Sequence, residues 1–512
     1  MEPLQWRQNR ALVLVVFIVL GCLSVGTGCV DAKHSTVWTA SSDAATGASE
    51  LRAAAERWTG RKARGVYYHG KKVGFEVVEI GVEQTEQGRC LRVTTERCNR
   101  VSMFGEQLNS LATDVEWFLL EGEGPLVQYR QVSIEQGQRT VTNAIRRDGK
   151  FEIRTELAGE SVVRLAELPK ESLRSWIRFD EWLSPTTPVG AVFEGWTTDL
   201  EQTDVNRRSV STLRTKPEAS SGADGTGIYG VDSKIDGAIV SFRTRGCQGI
   251  ESWEWSGIEA KLEPEVQARA LGGVSPDLTA ITVFPVAAFM GDDSTGLNRV
   301  TLRLEGLQAD FVPPESGTQS VESLSPGFCR VWVAREPPYP REDPIDADAR
   351  ARFLRADPGI ESDHPRIRGL ADEVAGQAKD PVAKATLLQH WVYENVKGDF
   401  SKRANSALVV LEQRAGVCAE SARLFVALAR AAGVPAREVG GLLYSGWVAG
   451  GGFIGHGWAQ VHDGTRWIDV DPSWDQVGVD AGHVCLQLDS DDNSFYNVLG
   501  SLHITVERFE RR

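Results

Sequence analysis

The sequence predicts a multidomain chain, with a large N-terminal antiparallel β domain followed by an α+β core. Three observations carry this. Between Gly60 and Glu263, short runs rich in β-branched and aromatic residues recur about every ten residues, with turn residues between them. After the proline cluster Pro337-Pro-Tyr-Pro340, apolar residues change to helical spacing. Near the C-terminus, a helix-like stretch opening at Cys418 is followed by a hairpin pattern. The expected boundaries are 1–29 for a targeting segment, 30–57 for a tether, 58–265 for the β domain, 266–340 for a short β segment and linker, and 341–512 for the core.

Composition limits the function classes. Hydrophobic residues make up 41% of the 512, enough to build real cores, so the chain is not a disordered one. Seventy acidic against 56 basic residues leave a net charge of −14, and no Lys/Arg cluster offsets it. A nucleic-acid partner is therefore not expected.

The first residues read as a targeting signal. Arg7 and Arg10 precede the apolar run Ala11–Leu20, which gives way to small residues up to Cys29. A basic start, a short apolar run and a small-residue exit form a signal peptide. Stretched to Gly28, the same run would be an uncleaved signal anchor. The exit resembles a bacterial lipoprotein processing site, with Cys22 and Cys29 both placed for lipidation. Polar sequence from Asp31 to Glu50 favours Cys29. The expected location is the cell envelope, either periplasmic or membrane-anchored. The short run Glu50–Trp58, at the end of the tether, looks helical.

The β domain opens on a hairpin, Val66–His69 and Lys72–Glu79 around Gly70. Further strands are expected at Cys90–Thr95, Val115–Leu120, Leu126–Ile134, Arg139–Ile145 and Phe151–Leu157. A helix at Leu173–Trp182 interrupts them, Thr215–Gly227 reads as an exposed loop, and Ser241–Trp255 resumes the strands. Tyr67, Trp253 and Trp255 either line a ligand groove or simply pack on the sheet, as aromatics in strands usually do. Another β segment follows at Leu278–Ala288, Leu297–Leu304 and Phe328–Ala334.

Eight cysteines occur, at 22, 29, 90, 98, 247, 329, 418 and 485. Setting aside the two at the signal and Cys418 leaves an odd number, and pairing among Cys90, Cys98 and Cys247 stays open. No Cys-x-x-Cys spacing suggests zinc. Asp489-Ser-Asp-Asp-Asn493 imitates the start of a calcium loop but has Ser494 and Gly500 where Gly and Glu belong. No metal and no cofactor are expected.

In the core, Ile367, Leu370, Ala371 and Val374 make one helical face, and Asp380-Pro381 caps the next helix. The third helix begins at Cys418. Leu424, Phe425, Leu428, Ala431 and Ala432 lie on its apolar face, and Gly433 and Pro435 end it. A cysteine at a helix N-terminus sits among unpaired N–H groups that favour a thiolate and can donate to an oxyanion. Thirty-eight residues on comes His456, and fifteen further on Asp471. The expected hairpin starts its first strand at His456, turns at His462–Thr465 and ends its second strand at Asp471. That brings imidazole and carboxylate together. His462 is expected to face solvent and His483 to pack under the sheet.

A lone cysteine is usually a small buried hydrophobe and a lone histidine usually structural. The order Cys, His, Asp, with the cysteine at a helix start, fits nucleophilic acyl transfer better. The stretch from about Pro365 to Leu488 resembles the transglutaminase-like, papain-related core. The matching motifs are Gly416-Val-Cys418, Leu428-Ala-Arg-Ala-Ala-Gly-Val-Pro-Ala-Arg437, His456-x-Trp458 and Trp467-x-x-x-Asp471-Pro-Ser-Trp. Ser473 stands where the family usually has Thr. The resemblance implies Cys418 as nucleophile, His456 as general base and acid, and Asp471 as the residue orienting His456. It leaves the second oxyanion donor open, with Trp391 and Gln413 as candidates. It implies an enzyme, a cysteine protease, amidase or transglutaminase-type acyltransferase, acting on a protein or peptide substrate. The rival expectation is a non-catalytic envelope module that binds protein or cell wall on a retained scaffold.

Overall fold

In the computed structural model of the protein, residues 44–512 are described, apart from 104–105, 158, 201–203, 218–226, 236–237, 246–248, 256, 274, 310, 336–341, 400–401, 403, 449, 490–497 and 499–500. The signal segment with Cys22 and Cys29, Cys247, most of the Thr215–Gly227 loop, the proline linker and nearly all of the calcium-like segment lie outside the described residues. Among the described residues, no helix is long and apolar enough to cross a membrane. The chain falls into two compact units, one ending at Asp277 and the other running Leu278–Arg512.

The first unit is one antiparallel sheet of fourteen strands. Its first half comprises β1 (Gly60–Tyr68), β2 (Lys71–Thr85), β3 (Gly88–Met103), β4 (Glu106–Leu119), β5 (Leu126–Glu135), β6 (Gln138–Arg147), β7 (Lys150–Leu157) and β8 (Glu160–Ala166). The second half is β9 (Val192–Thr198), β10 (Asn206–Thr215), β11 (Tyr229–Ile235), β12 (Ala238–Thr244), β13 (Ile250–Trp255) and β14 (Ile258–Leu262). Each half is a meander, and β1 pairs with β14 to join them. His69 and Gly70 take φ of 44° and 75° between β1 and β2, the mirror-image turn whose twist matches a hairpin.

Two helices pack into the core of this sheet. Helix α1 (Ala44–Trp58) buries Leu51, Ala54 and Ala55, and α2 (Leu173–Trp182) buries Leu173, Trp176, Ile177 and Phe179. They meet at Trp58 and Trp176, edge to face at 5.5 Å, and pack with Phe118, Phe151 and Phe193 of the sheet. The part of the expected tether from Ala44 onward is therefore core. Its spacing of Leu51, Ala54, Ala55 and Trp58 is one apolar stripe that the sheet buries. Trp253 and Trp255 are buried too, and the Tyr67 hydroxyl donates to Glu263 at 3.0 Å, so these aromatics pack rather than line a groove. Cys90 and Cys98, on one strand, are reduced thiols.

The expected separate piece at 266–340 is divided between the units. Helix α3 (Glu265–Arg269) packs Ala268 against Ala63, Phe75 and Val77 of the first sheet. In the second unit, β15 (Val283–Pro285), β16 (Leu297–Glu305), β17 (Gln319–Ser325) and β18 (Phe328–Ala334) are followed by α4 (Ala347–Arg352), α5 (Pro365–Ala375) and α6 (Pro381–Asn395). Then come β19 (Lys397–Gly398), α7 (Ala407–Gln413), β20 (Ala415–Gly416) and α8 (Cys418–Ala431). The chain ends with β21 (Ala436–Ser445), β22 (Gly452–His462), β23 (Trp467–Asp471), β24 (Gln476–Val477), β25 (His483–Leu488) and β26 (His503–Arg511). The central sheet runs β24-β23-β22-β21-β25, and β15 pairs with the start of β22. A second sheet runs β17-β18-β16-β26. Strands from before residue 340 thus complete both sheets, because their backbone groups pair with β22 and β26.

Candidate active site

Cys418 is the first residue of α8. The start of that helix is tied down by Glu420, whose carboxylate accepts from Val417 N at 3.0 Å and from Ala404 N at 3.4 Å. Gly416 makes this possible, since a Cβ there would lie 2.4 Å from that of Glu420. Behind Cys418, the helix buries an apolar face, with Leu424, Phe425 and Leu428 fully buried. About one turn in, Arg423 forms an ion pair with Glu438 at 3.1 Å. At the far end Arg430 reaches Asp357 at 2.6 Å.

His456 lies in the middle of β22 rather than at its start. The Gly452–Gly455 stretch before it is held extended by β15 on one side and β21 on the other. Asp471 ends β23 as expected, and the β22–β23 pairing sets it beside His456. His456 Nε2 is 2.6 Å from Asp471 Oδ2, and Ser473 N donates to Asp471 Oδ1 at 2.7 Å. The other imidazole nitrogen, Nδ1, is buried without a well-formed hydrogen bond, and the Cys418 thiol helps to raise the pKa of the ring. Cys418, His456 and Asp471 are all fully buried.

Burial pulls the His456 pKa down. The Asp471 charge and hydrogen bond, with a contribution from Cys418, outweigh it and push it up to about 10. Burial raises Asp471, but His456, then His483, hold its carboxyl well below the usual range. The pair is therefore an imidazolium beside a carboxylate in a dry site, where each charge depends on the other.

His483, expected to pack under the sheet, belongs to the site itself. It sits at the start of β25, fully enclosed, with Nε2 3.1 Å from the same Asp471 Oδ2 that His456 uses. The one sequence signal is that three of the chain's eight histidines fall at 456, 462 and 483. His456, Asp471 and His483 offer ligand atoms within 4.8 Å of one another. The contacts at 2.6 and 3.1 Å are hydrogen-bond distances, so the three side chains share protons within one buried cluster.

His462 does not face solvent. It is buried, its Nε2 contacts Asp343 O at 2.9 Å, and its Nδ1 accepts from Gly464 N at 3.1 Å. Trp391 is covered by the Arg414 guanidinium, 4.4 Å from its ring centre. Gln413 ends α7. Asp469, unmarked in sequence, accepts from Trp458 Nε1 and Gln460 Nε2, both at 2.9 Å, and so fixes the strand that carries His456.

Comparison with known proteins finds a family match within the second unit. A stretch of 100 residues is 33% identical to an uncharacterised protein of Haemophilus influenzae, covering 18% of this chain and 26% of that one. The chain thus spans about a quarter of the length of the curated relative it matches. Among solved structures, a protein from Cytophaga hutchinsonii described as a candidate cysteine protease aligns over 43% of this chain and 90% of its own. Its identity is 18% and its TM-score 0.28. A candidate protease from Parabacteroides distasonis aligns over 76% and 70%, with 10% identity and a TM-score of 0.20. Residues 368–472 match the family described as the transglutaminase-like superfamily, and the chain carries a transglutaminase-like domain there.

Proposed function

We propose that the chain is a thiol-dependent enzyme of the cell envelope that hydrolyses or transfers acyl groups from peptide or glutamine amides. Cys418 is the nucleophile, His456 the general base and acid, and Asp471 the residue that orients and charges His456. The observation that carries this reading is the buried line from the thiol at a helix start, through an imidazole, to a carboxylate 2.6 Å beyond it.

The chemistry follows from those roles. The Cys418 thiolate attacks the amide carbon, and the oxyanion that forms lies near the N–H groups at the start of α8. His456 gives its proton to the leaving amine, and a thioester remains on Sγ. His456 then takes a proton from the incoming water or amine as it attacks the thioester, and Cys418 leaves as thiolate. Water as acceptor gives proteolysis or deamidation; an amine gives a cross-link. For an exported protein, hydrolysis is the favoured outcome. The targeting signal supports the envelope location, and lipidation at Cys29 would hold the chain on a membrane without spanning it.

The full burial of Cys418 favours a second reading, in which the scaffold is retained for binding and the thiol is inert. The test is to incubate the protein and its Cys418→Ala twin with a mixed peptide pool and a small primary amine, followed by mass spectrometry. Shortened peptides identify a protease, amine adducts a transglutaminase, and a gain of about one dalton on glutamine a deamidase. Identical products from both proteins sink the enzymatic reading.

A further inference from the structure

The buried polar chain does not stop at Asp471. His483 Nε2 faces Asp471 Oδ2 at 3.1 Å, and its Nδ1 faces Asp480 Oδ1 at 3.2 Å. A ring nitrogen facing a carboxylate oxygen at such a distance must carry a proton, since two lone pairs would repel. With Asp471 and Asp480 both ionised, both nitrogens of His483 donate and the ring is an imidazolium.

Asp480 is itself fully engaged. Its Oδ2 accepts from Ser294 Oγ at 3.0 Å and from Gln476 Nε2 at 2.8 Å, and its Oδ1 accepts from Gly482 N at 2.9 Å. Asp480 and Ser294 have no exposed surface, and His483 is 2% exposed. Among the described residues, the titratable groups facing His483 are Asp471 from β23, Asp480 from the turn before β25 and His456 from β22, whose ring centre is 5.6 Å away. Charge thus alternates along one line: Asp480 negative, His483 positive, Asp471 negative, His456 positive, ending at Cys418.

We propose that His483, backed by Asp480, is a positioning residue that keeps Asp471 ionised and aimed at His456; this rests on Cys418 being the nucleophile. The same direction appears in the ring's titration. Burial opposes its charge, yet the Asp480 charge and the bonds to Asp471 and Asp480 push it up to about 9.

The role differs from packing in what its loss does. Without the imidazolium, two carboxylates remain close together in a dry interior, and one must take up a proton. Protonating Asp471 removes the anion that supports the His456 imidazolium, and with it the Cys418 thiolate. Taking away Asp480 at the same time removes the surplus negative charge. The double variant His483→Gln with Asp480→Asn keeps a donor toward Asp471 and balances the charge.

The test is the rate of Cys418 alkylation by iodoacetamide against pH in the full chain, read by mass spectrometry on the Cys418 peptide. In the unaltered protein Cys418 should react well below the ordinary thiol range. His483→Gln should slow the reaction at pH 7 about tenfold or more, a midpoint rise of about one unit. The double variant should recover most of that loss. A folded His483→Gln protein with an unchanged profile, or a double variant no faster than the single one, overturns the proposal. An ordinary thiol profile in the unaltered protein overturns the nucleophile reading as well, so the two failures are told apart. The ¹⁵N shifts of the His483 ring in the unaltered protein decide the matter even if the variants do not fold. A doubly protonated ring at pH 8 is expected, and a neutral ring there overturns the proposal.

Discussion

Gly441 lies directly across the β21–β22 pair from His456. A Cβ on it would meet Val484 O at 2.1 Å and the Trp458 ring at 2.8 Å. β25, which carries His483, can approach β21 this closely only because residue 441 has no side chain. Gly441→Ala should therefore cost about 1–3 kcal/mol by overpacking. It should also slow Cys418 alkylation, because the shift moves both histidines. Urea unfolding and the alkylation rate check the two halves; a stable protein with a slow thiol would still place Gly441 in the site's architecture.

Asp471→Asn keeps the shape and removes the charge. The His456 ring and His483 both lose the anion they share. Turnover on any substrate found should fall by at least about a hundredfold, as loss of an orienting carboxylate does in other triads. An Asn variant within about threefold of the parent rate would remove Asp471 from the mechanism.

Glu420→Ala should cost about 1–3 kcal/mol, since it leaves the N–H groups of Val417 and Ala404 buried without an acceptor. Amide exchange at the first turn of α8 should accelerate with it. Slow exchange there in the variant would mean that the helix start is held by something else.

Stability should depend on pH through the same cluster. His456 and His483, at about 10 and about 9 against an ordinary 6.5, keep protons in the folded protein that the unfolded chain releases. Their contribution is complete below about pH 6.5 and is lost as pH rises toward 9 and then 10. Asp471, held below its ordinary 3.8, works in the opposite sense, contributing above about pH 4 and losing that as acid protonates it. Melting temperature should thus fall steadily from pH 6.5 to 10. His483→Gln should flatten the part of the slope nearer pH 9, and a slope identical to the parent's would contradict the assignment.

Because Cys418 has no exposed surface, reagent size should matter. Iodoacetamide should label it faster than a bulky maleimide by more than the two differ on a small thiol. Equal relative rates would mean that the site opens widely in solution.

Much of this site was readable because its parts are local. A helix that starts at a glycine-flanked cysteine and a hairpin with polar ends are patterns within a few residues of sequence, so Cys418, His456 and Asp471 could be named. The same holds for α2 and for strands such as β5 to β7, whose alternation and turns lie within one hairpin. His483 and Asp480 were not readable, because only the pairing of β25 with β21 brings them to Asp471. Ser294 reaches Asp480 from 186 residues away. His462 looked like a turn residue, yet its backbone N–H donates to Pro435 O at 2.9 Å and draws it inward. The helical end of the expected tether proves to be packed helix α1, whose narrow apolar stripe is masked by the polar, small-residue sequence around it.

Ser294, with the β15 and β16 strands on either side of it, bears on how this domain could be produced alone. A fragment begun after the proline cluster would strip β15 from β22 and β16 from β26. It would expose two rows of unpaired backbone groups, an invitation to self-association, and leave Asp480 without its serine. The smallest autonomous piece should begin no later than Leu278, well ahead of where the family match begins at residue 368.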